Sequence, residues 1–77
     1  MKDRILELLE QISADADFEH STDFIEDGLM DSFQMVELVS ELEEEFSIEI
    51  SGKDIIPENF RNLDTIGAMV RKYTGEE

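Results

Sequence analysis

The chain has 77 residues, 21 acidic and 6 basic, with a formal net charge of −15 at pH 7. That length supports one small core and no cleft between domains, so residues 1–77 are read as a single domain. The charge repels nucleic-acid phosphates and anionic lipid, and the absence of cysteine rules out disulfides and thiolate metal sites as staples.

The opening Met1-Lys2-Asp3-Arg4 leads into an apolar cluster broken by Glu7 and Glu10, unlike a signal peptide. No apolar run is long enough to cross a bilayer, so the expectation is a cytoplasmic protein with no membrane insertion. Ile5, Leu8, Leu9 and Ile12 recur at helical spacing and predict a helix over about Lys2–Ser13. The stretch from Ala14 to Asp31 mixes Asp, Ser, Thr and Gly with isolated Phe18, Phe24, Ile25 and Leu29. It reads as a long loop pinned by buried apolar side chains.

A second helix is predicted over about Ser32–Phe46, capped by Asp31 or Ser32, with Leu38, Val39, Leu42 and Phe46 facing the core. Ser47 to Lys53 breaks the periodicity. Pro57 then suits the first turn of a short helix covering Glu58 to Phe60. Asn62 or Asp64 can cap a last helix with Ile66, Met69, Val70 and Tyr73 inward, and Arg71 and Lys72 favourably near its negative end. Gly75 and the two following glutamates read as a frayed tail. The fold class is all-α, with three main helices and one short one.

One feature runs against local stability. The second helix carries Glu37, Glu41, Glu43, Glu44 and Glu45, and like charges four residues apart cost about 0.2–0.5 kcal/mol per pair. Carboxylates near a helix C-terminus also oppose the macrodipole. A solvated acidic face explains this blandly; a docking face for basic proteins explains it more sharply, since such local conflicts gather at functional surfaces. Phe33 and Val36 lie beside the acidic column. They are either an apolar spot within an interface or, for Phe33, a side chain tucked into the bundle.

Ser32 stands where the acidic loop meets this helix. The segment Gly28-Leu29-Met30-Asp31-Ser32-Phe33, followed by Val36-Glu37-Leu38-Val39 and Leu42-Glu43-Glu44-Glu45-Phe46, resembles the attachment site and second helix of acyl carrier proteins. The resemblance extends over nearly the whole chain, including Phe24-Ile25-Glu26-Asp27 and Thr65-Ile66. It implies a four-helix bundle with one short helix, and a non-catalytic carrier holding acyl or aminoacyl cargo as a thioester on covalent 4'-phosphopantetheine. By the same resemblance Ser32 attacks the pyrophosphate of coenzyme A, while a separate transferase supplies Mg²⁺ and the catalysis. Gly28, Leu29, Met30, Asp31 and Phe33 form the attachment motif, and Phe33, Val36, Glu37, Glu41 and Glu44 meet partner enzymes. The implied partners of this monomer are a phosphopantetheinyl transferase, an acyl- or aminoacyl-activating ligase and downstream transferases with basic docking patches. Gly28 lies four residues before the serine, where fatty-acid carriers place glycine three before it. The segment through Ile55-Ile56-Pro57-Glu58-Asn59-Phe60 is also longer. Both features look more like D-alanyl carrier proteins and other stand-alone carriers.

Three other readings compete. Asp15, Asp17, Glu19, Asp23 and Glu26 match calcium-loop positions, but His20 occupies the position that requires glycine. A hydrolase could pair Ser32 with His20 and a carboxylate, yet so small a domain offers little shelter from water. An acidic protein-binding module or inhibitor suits the charge but leaves Asp31-Ser32 without a purpose. Neither a metal nor a catalytic residue is therefore expected.

The charge itself makes a prediction: monovalent salt or millimolar Mg²⁺ should raise the melting temperature relative to low salt by screening carboxylate repulsion. An unchanged melting temperature would show that the charges are already compensated.

Overall fold

Ile5, Leu8 and Leu9 form the buried stripe of α1 (Lys2–Ile12), at the spacing that turns one helical face inward. The computed structural model describes residues 1–75. In it α1 packs against both α2 (Ser32–Phe46) and α3 (Leu63–Thr74). Between α2 and α3 lie two 3-10 turns, Gly52–Asp54 and Pro57–Phe60, the second packed on α3. Among the described residues all regular structure is helical, as in the acyl-carrier-like bundle that the sequence resembles.

The long loop is ordered by its apolar residues. Phe18 and Phe24 are buried and meet edge to face, with ring centroids 5.1 Å apart and an angle of 84° between planes. They join Leu38 and Leu42 of α2, Phe60 of the second turn, and Ile66 and Val70 of α3 in one core. Met30, Met35 and Met69 are buried there as well, so they are core residues in their own right. Phe46, expected on the core face, is only half-buried, because α2 ends there and Ser47 turns the chain away in a left-handed conformation (φ 55°).

The helix ends follow capping chemistry. Asn62, not Asp64, caps α3: its side-chain oxygen accepts from the Thr65 amide (2.9 Å), and the Thr65 hydroxyl oxygen accepts from the Asn62 amide (3.1 Å). Gly75 is not frayed. It terminates α3 in the left-handed region (φ 79°), donating its amide to the Arg71 carbonyl at 2.9 Å. The remainder of the expected frayed tail, residues 76 and 77, lies outside the described residues.

The segment expected to be irregular is held by a polar latch. The Tyr73 hydroxyl donates to the Asp54 carboxylate and accepts from the Ser51 amide (3.0 Å), while Lys72 Nζ lies 3.2 Å from Asp54 Oδ1. The Asn59 side-chain amide donates to the Asp54 carbonyl at 2.8 Å. The Tyr73 hydroxyl first, and then Lys72, hold the Asp54 carboxyl below its ordinary range.

Two predictions follow from this packing. Phe60→Ala should lower unfolding free energy by about 3–5 kcal/mol in urea titrations, whereas Phe33→Ala should change it by no more than about 0.5 kcal/mol. Asp54 has a native pKa below its unfolded one, so its contribution exists above the unfolded value and is lost as pH falls through the native one. The stability gap between wild type and Asp54→Asn should accordingly be widest near neutrality and shrink below about pH 4. A gap independent of pH would show that the latch does not depend on the charge.

Candidate attachment site

The approach to Ser32 is built by backbone hydrogen bonds around Phe24. Its amide donates to the Arg61 carbonyl (2.5 Å), and its carbonyl accepts from Leu29 (2.8 Å) and Met30 (3.2 Å). Gly28 makes the turn between them in the left-handed region (φ 73°), its amide donating to the Ile25 carbonyl at 3.1 Å. Nothing lies near where a Cβ would sit, so backbone conformation, not space, calls for glycine here. Leu29 is half-buried and Met30 is buried, which seats the last loop residues in the core before the chain emerges at Asp31.

Asp31 caps α2 alone. It is extended (φ −111°, ψ −178°); its Oδ1 accepts from the Gln34 amide (2.8 Å), while Gln34 Oε1 accepts from the Asp31 amide (3.1 Å). Ser32 is therefore the first residue inside the helix and is exposed. Its hydroxyl makes no hydrogen bond among the described residues. The sequence left open which of the two would cap, and the capping box decides for Asp31.

The surroundings suit a phosphate on that hydroxyl. Among the described residues the amides of Ser32 and Phe33 meet no protein acceptor, and the first turn of α2 contains no acidic side chain. The positive end of the helix dipole faces the same region, which it shares with the capping Asp31 carboxylate.

Along the outer face of α2, Phe33 is 72% and Val36 59% exposed, so Phe33 does not tuck into the bundle. The five glutamates divide. Glu45 accepts from Arg4 Nε at 2.7 Å, and the Glu43 carboxylate accepts from the Ile50 amide at 2.9 Å, tying the following segment back to the helix. Glu37 and Glu44 are exposed and Glu41 is half-buried, and none of the three has a protein partner among the described residues. Exposed Ile56 adds an apolar position that the sequence pattern did not single out.

The residues of the competing readings are occupied elsewhere. His20 is exposed, its Nδ1 3.0 Å from both Asp17 carboxylate oxygens, and Asp17 raises its pKa. Asp23 Oδ1 accepts from the Ile25 and Glu26 amides, at 3.1 Å each, and Oδ2 accepts from Arg61 at 2.7 Å. Of the calcium-loop carboxylates, Asp17 and Asp23 are thus spent on an ion pair and a turn, and no cluster of three or more metal-ligating side chains forms among the described residues.

Residues 3–72 match the family described as the phosphopantetheine attachment site. The chain belongs to this family. Its curated relatives include D-alanyl carrier proteins from two strains of Lactococcus lactis subsp. cremoris, 31% identical over 99% of each chain. Another from Lactococcus lactis subsp. lactis is 28% identical over the same share. No solved structure matches the chain significantly. The protein is thus a non-catalytic phosphopantetheine carrier that presents acyl or aminoacyl cargo, and as such it interacts with a phosphopantetheinyl transferase and ligases. No helix among the described residues is long and apolar enough to cross a membrane.

Because the cap belongs to Asp31, Asp31→Ala should cost about 1 kcal/mol of unfolding free energy. Ser32→Ala should cost no more than about 0.5 kcal/mol. Equal losses in urea titrations would mean that Ser32 shares the cap.

Proposed function

We propose that Ser32 bears the phosphopantetheine arm and that the cargo is an amino acid, with D-alanine the first choice. The observation that carries the site is the division of labour at α2: Asp31 and Gln34 hold the helix start, leaving the exposed Ser32 hydroxyl without a hydrogen-bond partner among the described residues. In arm transfer Ser32 Oγ bonds to the pantetheine-bearing phosphorus of coenzyme A, the pyrophosphate bond breaks, and adenosine 3',5'-bisphosphate leaves. The serine proton passes to a base outside this chain. The arm's thiol then carries the cargo as a thioester, so cargo choice rests largely with the loading ligase. The names of the relatives support D-alanine.

In this reading residues 1–77 act as one monomeric carrier domain in the cytoplasm. Gly28, Leu29, Met30, Asp31 and Phe33 present the serine, and Phe33, Val36, Glu37, Glu41 and Glu44 receive the transferase, the ligase and downstream acceptors. Support comes from the exposure of Phe33 and Val36 and from the three glutamates that have no ion-pair partner among the described residues. Such a face favours basic patches and sets on-rate more than affinity.

Loading tests the reading. The arm-bearing protein, ATP and a D-alanine-activating ligase should yield a D-alanyl thioester, while Ser32→Ala yields none. Glu37→Lys, Glu41→Lys and Glu44→Lys should each lower kcat/KM for loading by about fivefold to tenfold with an unchanged circular dichroism spectrum. Loading of fatty acyl chains in preference to any amino acid would overturn the cargo, and unchanged kinetics in all three variants would overturn the docking face.

A further inference from the structure

Arg61 and Asp23 are 38 residues apart and joined by a 2.7 Å ion pair, outside both the proposed docking face and the capping box. Asp23 is two-sided. Its Oδ1 accepts from the amides of Ile25 and Glu26, shaping the turn that leads to Gly28, and its Oδ2 receives the Arg61 guanidinium. Its backbone carbonyl also accepts from the Asp27 amide at 2.9 Å. Arg61 grips the same place a second time, because its carbonyl accepts from the Phe24 amide at 2.5 Å. The neighbouring Asn62, which caps α3, donates its side-chain amide to the Thr22 carbonyl at 3.3 Å.

Three successive loop residues, Thr22, Asp23 and Phe24, are therefore tied to Arg61 and Asn62, the two residues immediately before α3. From Phe24 the tie continues without a break: its carbonyl accepts from Leu29 and Met30, and Asp31 and Ser32 follow. Neither a turn nor a cap needs this long-range pair, since Oδ1 alone satisfies the turn and Asn62 alone satisfies the helix. What the pair adds is a fixed position of the Ser32 approach relative to α3. The Glu26 amide first, and then Arg61, hold the Asp23 carboxyl below its ordinary range, in keeping with this pairing.

We propose that the Asp23–Arg61 pair is a positioning strut, which fixes the presentation of the Ser32 hydroxyl to the transferase; the proposal rests on Ser32 being the attachment residue. The strut touches neither coenzyme A nor the reacting atoms. It acts through the Phe24 carbonyl and the seating of Leu29 and Met30. Loosening it should affect the rate of transfer within the complex rather than docking, because Phe33, Val36, Glu37, Glu41 and Glu44 all lie on α2.

The test is steady-state transfer from coenzyme A to the full chain, comparing wild type, Asp23→Asn, Arg61→Gln, Arg61→Lys and the double variant Asp23→Asn/Arg61→Gln. Each single neutral variant should lose about tenfold in kcat with KM held within about twofold. Arg61→Lys should recover most of the loss, and the double variant should be no slower than the slower single one. Hydrogen exchange at the Leu29 and Met30 amides should quicken in the neutral variants while α1 stays protected. Asp54→Asn, which breaks a different ion pair, should leave kcat unchanged. The strut is overturned if kcat stays within about twofold of wild type in folded variants. It is equally overturned if the losses fall wholly in KM, or if Leu29 and Met30 exchange at wild-type rates. Should Asp23→Asn fail to fold, the exposed Arg61 variants decide the matter alone. A wild-type chain that takes no arm on Ser32 would instead overturn the attachment reading, and the strut with it.

Discussion

The hydrogen bonds between Asp31 and Gln34 decide what the serine beside them can do. A helix start leaves amides that must find acceptors, and serine is among the residues that most readily supply one. Had Ser32 done so, its hydroxyl would be committed to the backbone and turned inward. With Asp31 accepting from Gln34 and Gln34 accepting in return, the serine stands one position inside the helix, and among the described residues its hydroxyl makes no hydrogen bond. Everything upstream serves that placement. Phe24 in the core, the left-handed turn at Gly28 and the burial of Met30 deliver Asp31 to its capping position. A nucleophile for another enzyme's reaction needs this combination of exposure and a fixed backbone.

Four of the six positive side chains are used in the framework. Lys2 pairs with Asp64, Arg4 with Glu7 and Glu45, Arg61 with Asp23, and Lys72 with Asp54. Single exposed pairs of this kind contribute little to stability. Their placement matters more, because all but Arg4–Glu7 neutralise carboxylates across different elements, and among the described residues they leave Glu37, Glu41 and Glu44 without an ion-pair partner on α2. The like-charge cost along that helix is thereby confined to the face where a basic partner could relieve it.

Much of this was legible in the sequence. The heptad-like spacing of Ile5, Leu8 and Leu9, and of Leu38, Val39 and Leu42, follows from helical geometry alone, and so did the bounds of α2. The Asp-Ser context carried the family. The choice between Asp31 and Ser32 as cap was not legible, because it depends on where Gln34 turns its side chain. Nor were the exposure of Phe33 or the burial of Met30, since periodicity weakens at a helix end and says nothing in a loop. Gly75 was misread as the start of a frayed tail because two glutamates follow it, although glycine after a basic last turn is a regular helix stop. The ties from Arg61 to Asp23 and from Tyr73 to Asp54 join residues distant in sequence, and a single chain with no fold in hand gives no means of pairing them.

The central claim is that one hydroxyl, freed by its neighbour's cap, takes the arm. Fragmentation mass spectrometry of the folded wild-type chain after reaction with coenzyme A and a phosphopantetheinyl transferase tests it most directly. A single arm is expected, found wholly on the peptide containing Asp31-Ser32-Phe33 and localised to Ser32. An arm on Ser13, Ser21, Ser40, Ser47 or Ser51, or no arm at all with an active transferase, would contradict it.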